Sequence, residues 1–147
     1  PGHETLLPKL MEKLTPGGML AVQIPLTQQA VFYKLLHELI QADKWKMLNE
    51  IHNFHNLTPN ATYDVLAGCS VEVAMWETVY YHVVPSHSAV IDWYKGSGLK
   101  PYLDALGENE KTEFLGELLE AVKGNIPIQG DGNVILKMPR LFFTAKK

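Results

Sequence analysis

Leu14-Thr15-Pro16-Gly17-Gly18-Met19-Leu20-Ala21-Val22-Gln23-Ile24-Pro25 is the stretch from which the rest of this chain is read. Pro16 removes a backbone donor and Gly17-Gly18 tolerate positive φ, so a helix ends here and the chain turns sharply. Met19 to Ile24 then runs apolar and free of charge until Pro25 stops it, which fits a strand buried on both faces of an α/β sheet. Upstream, Leu6, Leu7, Leu10, Met11 and Leu14 fall on one face of a helix. Helix, tight turn, buried strand is the repeating unit of an alternating β/α protein, met here in its middle.

Outward from that unit, Gln28 to about Asp43 carries Val31, Leu35, Leu36, Leu39 and Ile40 at helical spacing, with Thr27 as its N-cap. Thr58 caps a short helix that has Pro59 in its first position and closes at Gly68-Cys69. Val71 to Val84 (VEVAMWETVYYHVV) is the strongest strand, rich in β-branched and aromatic residues. Ser86 caps a helix from His87 to Lys95, Lys100-Pro101 opens another, and Glu108 to Lys123 is amphipathic with Phe114, Leu115, Leu118, Leu119 and Val122 inward. Asp131-Gly132 makes a tight turn before Val134 to Leu136, and Pro139 is expected to separate that run from a terminal strand at Leu141 to Ala145. The division is one partial domain over 1–147: helix and buried strand in 1–25, helical cap in 26–67, long strand in 68–85, more cap in 86–124, and a terminal strand region in 125–147.

Composition narrows the function. The 147 residues carry 13 basic and 16 acidic side chains, a net charge of −3, which argues against a protein that tracks phosphates. Hydrophobic residues are 46% and charged residues 20%, enough to build a core and too apolar for a disordered chain. Cys69 is the only cysteine, so no intrachain disulfide forms and a reducing, cytoplasmic setting is expected. No long uninterrupted apolar run suggests a membrane span, and no charged and apolar leader pattern is visible.

Four stretches together resemble the trans-aconitate 2-methyltransferases, a group of S-adenosylmethionine-dependent methyltransferases of the Rossmann-like class. They are Leu14 to Pro25; the strand segment Trp76-Glu77-Thr78-Val79-Tyr80-Tyr81-His82; Ile91-Asp92-Trp93-Tyr94-Lys95-Gly96-Ser97-Gly98-Leu99-Lys100-Pro101-Tyr102; and Pro139-Arg140-Leu141-Phe142-Phe143. The resemblance implies an α/β fold: the C-terminal part of a Rossmann-like class I methyltransferase, holding the last three strands of its sheet, with a helical cap insertion. The family's cofactor loop is a glycine turn between a strand and a helix. Here Pro16-Gly17-Gly18 precedes a strand, and Gly96-Ser97-Gly98 has no strand before it. The resemblance therefore implies a C-terminal fragment that carries the acceptor side, with S-adenosylmethionine bound by residues outside this sequence.

The implied reaction moves a methyl group to a carboxylate of trans-aconitate or a similar polycarboxylic acid. A carboxylate is already ionised at neutral pH, so no general base is needed. The protein must align the reactants, exclude water and neutralise the remaining carboxylates. Arg140, the only arginine, is the candidate fork; Lys95 and Lys100 flank the Gly96-Ser97-Gly98 loop and are further cations. Trp76, Thr78, Tyr80 and His82 share one face of the long strand, with Tyr81 on the other; Trp76, Tyr80, Tyr81, His82 and Trp93 complete the substrate-binding candidates. Each also has a plainer role open to it, as packed aromatic, sheet histidine or helix-end charge. His52-x-x-His55 and the pair His82 and His87 do not read as a metal site, and Cys69 has no neighbouring cation to activate it.

Two other readings stay open: a related methyltransferase with another acceptor, or a stand-alone module that binds an anion or a protein. At Met19 to Ile24 one of two outcomes is expected: the exposed edge strand pairs with a second copy, or the segment withdraws into another arrangement. If the fragment reading is right, calorimetry on this chain shows no S-adenosylmethionine binding and no methylation accompanies it. Saturable micromolar binding would defeat that reading.

Overall fold

A computed structural model describes residues 2–51 and 56–147 of the chain. The order of elements is α1 (His3–Glu12), β1 (Met19–Pro25), α2 (Val31–Ile40), α3 (Pro59–Ala67), β2 (Glu72–Val84), α4 (His87–Lys95), α5 (Lys100–Asp104), α6 (Glu108–Asn125) and β3 (Val134–Lys146). Short 3₁₀ turns cover Thr27–Gln29 and Asp43–Glu50. The three strands form one sheet in the order β1-β3-β2, with β1 and β3 antiparallel from Met19↔Lys146 to Pro25↔Arg140. By its contacts the chain divides into two compact units, one drawing on the described residues within 1–27, 54–79 and 139–147, the other on those within 28–53 and 80–138.

In the first unit, Leu7 and Met11 of α1, Leu66 of α3, Ile24 of β1 and Leu141, Phe143 and Ala145 of β3 are buried together. Val73 and Met75 of β2 pack against them, so alternate β2 residues face the core. Thr58 Oγ1 accepts from the Ala61 amide at 3.2 Å, with Pro59 at the first helical position, as the sequence suggests. Gly17 has φ +78°, and the turn it makes carries the chain from α1 into β1.

Two features of this unit differ from the sequence reading. Met19 to Ile24 is not buried on both faces: burial alternates, and only Ile24 is fully covered. Among the described residues β3 is the one strand beside β1, and period-two alternation leaves Met19, Ala21 and Gln23 exposed. Pro139 does not break the terminal strand either, because β3 is continuous through it. The Pro139 carbonyl accepts from the Leu26 amide at 3.0 Å, one step past the last β1 pair. N–H and C=O of one strand residue point to the same side, so the donor that Pro139 lacks would lie where β1 has ended.

In the second unit α6 turns Phe114, Leu118 and Val122 inward against Phe32, Leu36, Val90, Leu99, Val134 and Leu136. α2 starts later than expected, at Val31, with Ala30 rather than Thr27 at its N-cap and no side-chain cap bond. Ser86 does cap α4, accepting from the Ala89 amide at 3.1 Å. Phe32 and Tyr94 stack at 3.7 Å between ring centroids. The 3₁₀ segment, which the sequence left unassigned, places Trp45 in the core edge-on to Phe114. The buried indole needs an acceptor, and Nε1 donates to Glu117 Oε2 at 2.7 Å. Lys44 pairs with Glu117 at 2.8 Å and with Glu113, which ties the segment to α6.

Lys44 first and the Trp45 indole second hold the Glu117 carboxyl below its ordinary value of 4.5. A depressed native pKa contributes stability that is present above the unfolded value and lost as pH falls through the native one. Glu117→Gln should therefore cost about 1 kcal/mol near neutral pH, a modest sum because the carboxylate is partly exposed. The gap to the wild type should narrow in acid unfolding curves as pH falls past the ordinary 4.5 and through the lowered native value; a pH-independent gap would assign the loss to packing. For β1, light scattering should find two copies paired through the charge-free edge, and Ala21→Lys, on the exposed face, should return a monomer.

Candidate functional site

The candidate residues fall into two groups, one in each unit. In the first unit the β3 alternation that buries Leu141 and Phe143 turns Arg140 and Phe142 to the opposite face. Cross-strand pairing sets Gln23 beside Phe142 and Pro25 beside Arg140. Arg140 Nη1 donates to Gln23 Oε1 at 3.0 Å. Trp76 of β2 lies nearly parallel on Phe142, with ring centroids 5.6 Å apart and planes at 12°, and is 48% exposed. Asn56 Nδ2 donates to the Pro25 carbonyl at 2.6 Å, next to the Arg140 pair. The result is a row with a cation and an amide at one end and two stacked rings beside them.

In the second unit the end of β2 supplies Tyr80 and His82, whose rings stack at 6.4 Å, and α4 brings Trp93 to 5.1 Å from His82. Tyr80 and Trp93 are partly exposed, at 41% and 47%. Tyr81 alternates to the other side of the strand and is exposed away from this cluster. Lys95 pairs with Asp92 at 2.8 Å and Lys100 with Asp104 at 2.7 Å, each within its own helix. Among the described residues Arg140 is in no ion pair, which sets it apart from those two lysines.

Other groups have settled roles. His87 is buried, and because a carbonyl only accepts, its Nε2–H donates to the Ile126 carbonyl at 2.7 Å. Burial raises the Cys69 thiol pKa, and Sγ donates to the Val65 carbonyl at 3.3 Å, the reverse of an activated nucleophile. Burial first, and the neighbouring Tyr33 second, push the Tyr94 hydroxyl up. No group of three or more His, Cys, Asp or Glu is placed to hold a metal among the described residues; His52 and His55 lie outside them. No described helix is long and apolar enough to cross a membrane.

Among the described residues, neither glycine turn fits S-adenosylmethionine. Gly17 turns from a helix into a strand, the reverse of a cofactor loop. Gly96-Ser97-Gly98 joins two helices, and a Cβ on Gly98 would collide with the Tyr33 hydroxyl, so that glycine serves close packing. Gln23 and Phe142, which touch Arg140 and Trp76, were not singled out from the sequence. The one available signal was a lone amide in the apolar run Met19 to Pro25.

No family model matches the chain. Individual proteins do. A trans-aconitate 2-methyltransferase of Klebsiella pneumoniae is 39% identical over 145 residues, 99% of this chain and 56% of its own length. One from Escherichia coli O157:H7 is 36% identical over 148 residues, all of this chain and 57% of its own length. One from Methylobacterium radiotolerans is 34% identical over 154 residues, all of this chain and 58% of its own length. The chain thus spans a little over half the length of these curated relatives, consistent with a C-terminal part.

Proposed function

We propose that this chain is the acceptor-binding part of a Rossmann-like, S-adenosylmethionine-dependent O-methyltransferase acting on a carboxylate of trans-aconitate or a similar polycarboxylic acid. Its similarity along its whole length to proteins named for that reaction supports the reading. The observation that carries it is Arg140: a cation in no ion pair among the described residues, beside the exposed Trp76–Phe142 stack. A polycarboxylate needs a fork for one carboxylate and a surface for its carbon frame, and the row on the first unit offers both.

S-adenosylmethionine supplies the methyl group when bound, and neither described glycine turn of this chain is placed to hold it. The part of this chain's residues is on the acceptor. Arg140 pairs with a carboxylate that does not react and fixes the acid's orientation. Trp76 and Phe142 exclude water along one side. Tyr80, His82 and Trp93 form a second set of polar-tipped rings for the same class of ligand. Tyr81, Lys95 and Lys100 are weaker candidates: the lysines are already paired with aspartates, and Tyr81 stands apart from the ring cluster. The acceptor is ionised throughout, so activity should not depend on a side-chain base near neutrality.

Arg140→Met tests this in a protein that carries this chain together with a cofactor lobe. Losing one charge-assisted pair costs about 1.5–3 kcal/mol, so KM for the acid should rise roughly 10- to 100-fold with cofactor affinity unchanged. An unchanged KM would return Arg140 to a structural role.

A further inference from the structure

We propose that Gln23 is a positioning residue for the acceptor carboxylate: it fixes the Arg140 guanidinium without neutralising it and adds its own amide donors beside the fork. The inference rests on the reading of Arg140 as a carboxylate fork. An arginine side chain has large rotamer freedom, and a ligand that must first order it binds more weakly. Here the ordering is built into the sheet. The β1–β3 register places Gln23 and Arg140 at the end of the ladder, where the Leu26–Pro139 bond closes the pairing. From there Nη1 reaches Gln23 Oε1 at 3.0 Å.

The chemical identity of residue 23 matters as much as its place. Gln23 is the one side chain in Met19–Pro25 that can hydrogen-bond. An amide oxygen accepts from Arg140 while carrying no charge, so the guanidinium keeps its full attraction for an anion. A carboxylate at the same spot would hold Arg140 equally well and cancel it. With Oε1 engaged, the other branch of the planar amide is an NH₂ with two donors and no acceptor, which suits a carboxylate oxygen. Gln23 is exposed, and its cross-strand neighbour Phe142 carries Trp76, so the donors and the aromatic wall belong to one row.

Because Arg140 is the only arginine, guanidinium ¹⁵N spectra of this chain report on it alone. The wild-type Arg140 Nε signal should move saturably as trans-aconitate is added. Gln23→Leu should weaken that binding about fivefold, the scale of one net hydrogen bond, and let the Arg140 Nη signals coalesce as rotation is freed. Gln23→Glu, which keeps the shape, should abolish the titration, with backbone amide spectra showing both variants folded. Equal affinity in wild type and Gln23→Leu would overturn the role of Gln23 while leaving Arg140 as the fork. A wild-type Nε signal that ignores the acid would overturn the fork, and the role of Gln23 with it.

Discussion

Strict alternation along β3 is the constraint on which the rest depends. The strand supplies Val134 and Leu136 to one core and Leu141, Phe143 and Ala145 to the other. Its buried residues have even numbers before Pro139 and odd numbers from there on. Side chains two apart share a face, so burying Leu141 and Phe143 obliges Arg140 and Phe142 to face away from the core of the first unit. A one-residue slip of register would bury the arginine and expose three apolar residues, an arrangement with no compensating partner. The direction of the candidate fork is thus a consequence of core packing.

Charge then separates the candidates. Lys95 and Lys100 each sit one helical turn from an aspartate, and such exposed pairs add little stability, about 0.3–0.5 kcal/mol. They nonetheless lower the appetite of those lysines for an outside anion. Arg140 meets an amide instead, which orders without neutralising. The contrast with Glu117 is instructive. There a carboxylate answers both a buried indole and a lysine, and the result is a structural brace between the 3₁₀ segment and α6. A cation held by an amide keeps its charge uncancelled, whereas one held by a carboxylate does not.

Much of this protein was legible in its sequence, because the relevant interactions are short in range. Thr58-Pro59 and Ser86 cap helices through contacts three residues away, and Val71 to Val84 declares itself by composition and alternation. The face shared by Tyr80 and His82, with Tyr81 opposite, follows from the same alternation, and so does the lone arginine's place in a strand-forming Pro-Arg-Leu-Phe-Phe run. What the sequence did not decide was set by partners far away in the chain. An apolar run shows neither how many strands flank it, so Met19 to Ile24 read as doubly buried, nor where its neighbour ends, so Pro139 read as a break. Gln23 finds Arg140 across 117 positions, and Phe142 finds Trp76, because antiparallel pairing sets their register. Local chemistry fixed which elements form and which side chains can act; only the closing of the sheet decided which of them meet, since cross-strand neighbours are chosen by hydrogen-bond register and leave no trace in sequence spacing.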